Sequence, residues 1–298
     1  MSDAPRKTLS QRWLPVLLRL LGRVPLPLLY FIADVLFFTL FRVFGFQRAL
    51  ASDNIARAFP QLPVTQVARL AAQSARNTAH VVFETIASSA FNEAELARRV
   101  LIDNPQLIQQ LVQEHRTVVT VAAHHANWEW LQLACAARLG APLAALYKPL
   151  GHSGLDAFLH QLRGRFGSRL IVARTALPQL LQFAREPGVI ALVADQVPRP
   201  DDEQYWSVLL GRETAFFTGP EKLARLLKAP LVFAHMQRLR RGYYRVQFEV
   251  LARPPYLEPD GDLMERYVRA LEAQIRAAPL DWVWVYKRWK YRKSVYAA

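Results

Sequence analysis

The sequence predicts an α/β fold with a mixed, largely parallel sheet flanked by helices and an N-terminal membrane-associated helix. Beyond residue 100, short apolar segments alternate with longer helical patterns. Such alternation is typical of parallel strands connected by helices. Before residue 47, basic residues interleave with a long apolar stretch, which is typical of a segment that lies at a membrane surface.

The N-terminal residues 1–46 are predicted to form a membrane-associated segment, and residues 47–298 the main domain. Residues 24–41 have the length of a transmembrane helix but contain Pro25, Pro27 and Asp34. A central aspartate costs roughly 2.5–3.5 kcal/mol on insertion scales. We therefore expect a helix that lies in the membrane plane or spans it marginally. A wholly buried core helix is the alternative.

The main domain is expected to start with one long helix and to continue as an alternating chain. Prolines interrupt the chain at 60–63, and apolar residues then fall near one helical face over 64–88. Strands are predicted at 117–123, 143–147, 169–172, 188–194, 230–235 and 243–250. Helices are predicted at 104–114, 127–139, 153–166, 176–186, 219–228 and 262–277.

Charge narrows the choice of partners. The formal net charge is +14, and basic residues concentrate at both ends of the chain. A nucleic acid and an anionic membrane both attract such a protein. We favour the membrane and expect no nucleic acid partner, because the N-terminal basic residues lie within apolar sequence and no nucleic-acid-binding motif is present. The single Cys135 excludes an internal disulfide and is interpreted as an inert core thiol.

The best candidate for a catalytic base is His124. It follows the predicted strand 117–123, and Asn127 is placed to cap the next helix, which puts Glu129 in its first turn. Asp195 follows another predicted strand, so the carboxyl edge of the sheet could hold both. Either carboxylate could orient the imidazole or stabilise its cation. The residues themselves do not rank Glu129 and Asp195; only the His-x4-Glu spacing favours Glu129.

Other interpretations of this segment are less favoured. His125 should point away from His124 if strand alternation continues. A metal site at His124, His125 and Glu129 lacks a third or fourth ligand of a known set. Walker and dinucleotide loops are absent from the sequence, as is a Gly-x-Ser-x-Gly elbow, which argues against nucleotide chemistry and against a serine hydrolase.

The segment H-H-A-N-W-E resembles the His-x4-[Asp/Glu] motif of glycerolipid acyltransferases, and its Asn-Trp-Glu context resembles the late acyltransferases of lipid A biosynthesis. Further blocks in the order of that family lie at 54–60, 146–149 with 163–167, 194–196 with 210–220, and 282–290. The resemblance implies a glycerolipid-acyltransferase-like fold. It also implies transfer of a fatty acyl chain from acyl-carrier protein or coenzyme A to a hydroxyl of a lipid A precursor, without a cofactor, at the cytoplasmic face of the inner membrane.

Within these blocks we expect substrate contacts from Asn127, Lys148, Arg163, Arg165 and Gln196, with the basic residues as candidates for binding phosphate. Asn127 could instead serve only as a helix cap.

The sequence departs from the family at four positions. His125 and Ala126 replace an aromatic residue and a glycine, Lys148 replaces an arginine, and Tyr286 replaces a histidine. Lysine keeps the charge but lacks the planar fork of arginine.

Two other functions remain open. One is an acyltransferase for another glycolipid or a phospholipid. The other is a non-catalytic protein that binds membranes or nucleic acid through its basic ends. Acyl length, the acylated hydroxyl, the donor and the oligomeric state are not determined by the sequence.

Overall fold

The computed structural model describes residues 9–293, and within that range nine strands and eleven α-helices alternate along the chain. The helices are α1 (Leu9–Leu21), α2 (Leu26–Phe37), α3 (Arg48–Ala58), α4 (Val64–Ala87), α5 (Glu93–Arg99), α6 (Pro105–His115), α7 (Trp128–Arg138), α8 (Ser153–Arg163), α9 (Leu177–Phe183), α10 (Gly219–Leu227) and α11 (Asp262–Ala277). The strands are β1 (Val100–Ile102), β2 (Thr117–Ala122), β3 (Leu143–Tyr147), β4 (Arg169–Val172), β5 (Gly188–Val193), β6 (Gln204–Leu209), β7 (Arg212–Phe217), β8 (Leu231–Arg240) and β9 (Tyr243–Ala252).

Seven of the strands form one sheet in the order β1-β9-β8-β2-β5-β3-β4. Strands β8, β2, β5, β3 and β4 are parallel, while β9 is antiparallel to β8 and carries β1. The predicted mixed, largely parallel sheet with flanking helices is therefore confirmed. Four elements were not predicted from the sequence: β1, α3, α5 and the separate β6–β7 hairpin.

Helices cover both faces of the sheet, and the central strand β2 is buried along its whole length. Val119 and Val121 pack on the side of α4, α10 and α11, whereas Val118 and Ala122 pack on the side of α6, α7 and α8. This two-sided burial explains why β2 is a continuous apolar run, as expected for a central parallel strand.

Strand register determines which residues meet at the carboxyl edge of the sheet. Ala122 at the end of β2 pairs with Val193 at the end of β5. Residues two positions beyond each partner therefore leave the sheet side by side.

The N-terminal helices pack on the main domain. Helix α1 lies against α8, and α2 lies against α4. Asp34 of α2 accepts hydrogen bonds from Nε and Nη2 of Arg76, at 2.6 and 2.5 Å, and lies 2.7 Å from Nε2 of His80. The aspartate that opposes membrane insertion is thus an ion-pair partner of α4.

Much of the surface of the N-terminal helices that does not pack on the main domain is apolar and exposed. A π-helical turn, Phe38–Val43, extends α2, and the joined helix Leu26–Val43 is the one candidate membrane span found among the described residues, by length and composition. Large exposed apolar side chains there are Trp13, Val16, Leu17, Leu20, Leu28, Phe31, Val35, Leu36, Phe38, Leu40, Val43, Phe44 and Phe46. Below we call this surface the apolar band.

Candidate active site

His124 and Asp195 lie in direct contact at the carboxyl edge of the sheet. Nδ1 of His124 is 2.6 Å from Oδ1 of Asp195, and the backbone N–H of His124 donates to Oδ2 at 3.0 Å. Asp195 is buried, whereas the His124 side chain remains 23% exposed. The adjacent ends of β2 and β5 create this contact, so the structure places Asp195, and not Glu129, beside the imidazole.

The contact shifts both pKa values in the direction of an ion pair. Burial alone would lower the pKa of His124, but the Asp195 carboxylate outweighs it and the pKa lies above its usual value. Burial would raise the pKa of Asp195, but His124 and the indole of Trp282 hold that pKa below its usual value. An opposite charge at hydrogen-bond distance has this effect on each partner.

Trp282 completes the surroundings of Asp195. Its indole N–H donates to Oδ2 at 2.9 Å, from a residue 87 positions away in the chain. The backbone of His125 forms an isolated antiparallel bridge with Trp282, and Ala126 N–H donates to the Asp281 carbonyl at 2.8 Å. Trp282 belongs to a block that carries the family resemblance but was not predicted as a site residue, since no local sequence pattern indicates this long-range pairing.

The other ring nitrogen of His124 lies close to Gln196. Nε2 of His124 is 3.3 Å from the amide nitrogen of Gln196. With Asp195 accepting from Nδ1–H, Nε2 is the nitrogen with a free lone pair. The ring of Trp128 packs edge-on against His124, with 5.0 Å between centroids.

Glu129 is in the first turn of α7, as predicted, but it binds a guanidinium. Arg163 donates to its two oxygens at 2.8 and 2.5 Å, and the indole of Trp128 donates at 3.2 Å. Burial would raise the pKa of Glu129, but Arg163 holds it below its usual value. The two carboxylates of the predicted site therefore serve different cations.

His125 points into the core, as strand alternation predicts. Its Nδ1 is 3.1 Å from the Met236 carbonyl, and its Nε2 is 3.0 Å from the Ala278 carbonyl. The side chain is buried, and burial lowers its pKa. His125 therefore connects β8 to the end of α11, and its ring nitrogens contact backbone carbonyls and not Asp195.

A family model described as bacterial lipid A biosynthesis acyltransferase matches residues 3–291. The chain belongs to this family. The match covers nearly the whole sequence and confirms the resemblance drawn from the sequence blocks. It indicates an acyltransferase that acts in lipid A biosynthesis. No curated protein matches the chain.

One departure from the lipid A acyltransferase pattern has a clear backbone consequence. Ala126 occupies the position of the family glycine with a φ of +53°, a left-handed conformation that L-residues adopt at a cost of roughly 1–2 kcal/mol. The turn between His124 and α7 adopts this conformation, which glycine would adopt without strain. At the position of the family histidine, the Tyr286 hydroxyl accepts from Val197 N–H at 3.3 Å, close to Asp195 and Gln196.

Two predicted substrate residues have structural partners instead. Asn127 is fully buried, caps α7 by accepting from Trp130 N–H at 2.9 Å, and donates to buried Glu84 at 2.7 Å. The cap prediction is confirmed, and a substrate contact by this buried side chain stays a prediction. Arg165 donates to the carbonyls of Ser88 and Phe91, at 2.6 and 2.8 Å, so its guanidinium joins the end of α8 to the segment after α4.

The remaining candidates differ in exposure. Lys148 is exposed and follows β3 at the same edge as His124. Cys135 is buried in α7, and burial raises the pKa of its thiol to about 12, as expected for an inert core residue. Among residues 9–293, no three His, Cys, Asp or Glu side chains are arranged to hold a metal ion.

Proposed function

We propose that the protein transfers a fatty acyl chain from the thioester of acyl-carrier protein or coenzyme A to a hydroxyl of a lipid A precursor. The observation that carries this proposal is the His124–Asp195 pair, in a chain of the lipid A acyltransferase family. The histidine of this pair is partly exposed at the edge of the sheet. Direct transfer to a hydroxyl requires a general base near neutrality, and this imidazole has the partner that such a base needs.

In the proposed reaction, Asp195 accepts from Nδ1–H and fixes the tautomer, so Nε2 of His124 removes the hydroxyl proton as the oxygen attacks the thioester carbonyl. A C–O bond forms and, from the tetrahedral intermediate, the C–S bond breaks. The imidazolium then returns its proton to the departing thiolate. Asp195 stabilises the imidazolium in between, and no covalent acyl-enzyme is needed. Gln196, beside Nε2, is placed to contact the incoming hydroxyl.

Arg163 is proposed to bind a phosphate of the donor or the acceptor. Two of its N–H groups are engaged by Glu129, and a guanidinium has five. Trp128, whose indole donates to the same Glu129, packs against the ring of His124. This contact supports a position of Arg163 near the base. Glu129 would then act as a positioning residue for Arg163. Lys148 is proposed to add a second positive charge at the same edge.

The apolar band is proposed to place the enzyme on the cytoplasmic face of the inner membrane. Its exposed apolar side chains exceed what monomeric soluble proteins normally leave in contact with water. Asp34 is held by Arg76 and His80, so α2 keeps one side on the protein. An in-plane attachment satisfies both observations, because the apolar side enters the bilayer and the ion-paired side stays with the main domain.

The test is transfer by the purified protein in detergent. We expect loss of acyl-carrier thioester only when a lipid A precursor with a free hydroxyl is present, and mass spectrometry should show one added acyl chain. A matched reaction with coenzyme A thioester identifies the donor. Consumption that depends on another glycolipid or a phospholipid would change the proposed acceptor. A protein that consumes no thioester, yet shifts nucleic acid in a salt-sensitive way, would contradict the enzyme proposal.

A further inference from the structure

A concave surface outside the His124 site lies between the π-helical turn and α4. It is a cleft of about 620 Å³, with Phe37 and Phe38 on one wall and Arg69, Gln73 and Arg76 on the other. The α4 residues recur at spacings of four and three, which places them on one helical face. The cleft thus combines aromatic and cationic walls, and none of the proposed catalytic residues lines it.

The π-helical turn shapes the first wall. Phe44 N–H donates to the Thr39 carbonyl at 3.0 Å, five residues earlier, so the helix widens here. Phe38 and Arg42, four apart within this segment, both line the cleft. Turns of this kind occur mostly as short insertions and are frequent at functional sites.

The charges in the cleft do not cancel. Asp34 neutralises Arg76 through two hydrogen bonds. Arg42 and Arg69 are exposed, and in the described part of the chain neither has an ion-pair partner. The cleft therefore keeps two unneutralised guanidinium groups, which suit the phosphate of an anionic group.

We propose that this cleft binds the phosphate of an anionic phospholipid headgroup in the bilayer. The apolar band favours a lipid over other anions, since Phe38, Phe44 and Phe46 are exposed beside the cleft. A bilayer covers these side chains while its headgroup phosphates reach the arginines. A nucleic acid or an acidic protein would leave them in water. The inference rests on the membrane attachment proposed above but requires no catalytic activity.

The orientation of the enzyme would follow from this contact. Helix α4, which forms one wall of the cleft, also bears Ser74, whose hydroxyl donates to the Trp282 carbonyl at 2.8 Å. The same helix therefore joins the lipid cleft to the loop that holds Asp195. A bound headgroup would fix the position of the catalytic edge relative to the membrane.

The experiment compares binding of the full-length protein to vesicles of phosphatidylcholine with and without phosphatidylglycerol. The variant Arg42→Ala with Arg69→Ala is matched by Arg169→Ala with Arg185→Ala, which removes two exposed arginines outside the cleft that have no ion-pair partner in the described part of the chain. Each basic residue at an anionic surface contributes enough that losing two weakens binding about 30-fold. We expect that loss for the cleft variant on mixed vesicles only, and at most a few-fold loss for the control.

Equal losses in the two variants would overturn the proposal, because total charge would then explain the binding. A second arm uses the wild-type protein, in which a short-chain soluble phosphatidylglycerol should compete with mixed vesicles and inorganic phosphate at the same concentration should not. Competition by inorganic phosphate would reassign the cleft to a free anion. Acyl transfer in detergent should be unchanged in the cleft variant. Vesicle binding is measured without substrate, so a failure of lipid binding can be distinguished from a failure of the proposed acyl transfer.

Discussion

Glu129 and Asp195 are two buried carboxylates near His124, and they bind different groups. Both have a pKa held below its usual value, and both come from the carboxyl edge of the sheet. Asp195 contacts the imidazole, while Glu129 contacts the guanidinium of Arg163. The comparison shows that a spacing of five residues identifies the neighbourhood of a base but not its partner, which depends on the register between β2 and β5.

The largest expected effect is that of removing the base. His124→Ala should lower kcat by roughly 10²–10⁴-fold, the usual contribution of a general base. The protein should still fold, because the ring is partly exposed, but with a lower melting temperature, because buried Asp195 loses its partner. Steady-state transfer and thermal melting check both points.

His125→Ala provides the matched control. It removes a buried ring that contacts the Met236 and Ala278 carbonyls and leaves a cavity in the core, so it should lower the melting temperature while the rate of the folded fraction changes little. An inactive but stable His125 variant together with an active His124 variant would reverse the assignment.

Asp195→Asn should have the next largest effect. It removes the group that fixes the tautomer and stabilises the imidazolium, and we expect a fall in kcat of at least about 10²-fold. Asp195 raises the pKa of His124, so its loss should move the acidic limb of the kcat/KM profile to lower pH. A variant with an unchanged profile would show that Asp195 is not the partner.

The same pair gives a stability prediction with a defined pH window. His124 has a raised folded pKa, so its contribution is fully present below its unfolded value of about 6.5 and is lost as pH rises through the folded value. Asp195 has a lowered folded pKa, so its contribution is present above about 3.9 and is lost as pH falls through the folded value. The loss of melting temperature in Asp195→Asn should therefore be greatest between about pH 4 and 6.5.

Much of the fold could be predicted because strands such as 117–123 and 188–194 are long apolar runs. These runs also located the edge that holds His124 and Asp195. The hairpin of β6 and β7 was missed because its sequence mixes polar and aromatic residues and stands outside the main sheet. Trp282 was missed as a site residue because its contact with Asp195 depends on a loop that folds back after α11.

The Glu129–Arg163 pair can be separated from the catalytic pair by a double-mutant cycle. Glu129→Gln leaves a mostly buried guanidinium without its partner and should cost up to about 3 kcal/mol of stability. Adding Arg163→Gln should recover much of that stability but not the KM, if Arg163 binds a substrate phosphate. Urea unfolding and KM measurements on the four proteins test this. If the double variant recovers both the stability and the KM, Glu129 and Arg163 have only a structural role.

The smallest expected effect concerns Ala126, which lies in the turn between His124 and Glu129. Its φ of +53° places a β-carbon in a conformation that glycine adopts without strain. Ala126→Gly relieves that strain but increases the entropy of the unfolded chain, so the net gain in stability should be about 1 kcal/mol or less. Neither carboxylate changes its partner, and the pH profile of kcat/KM should therefore match the wild type. A shifted profile with raised stability would show that the strained turn itself sets the distance between His124 and Asp195.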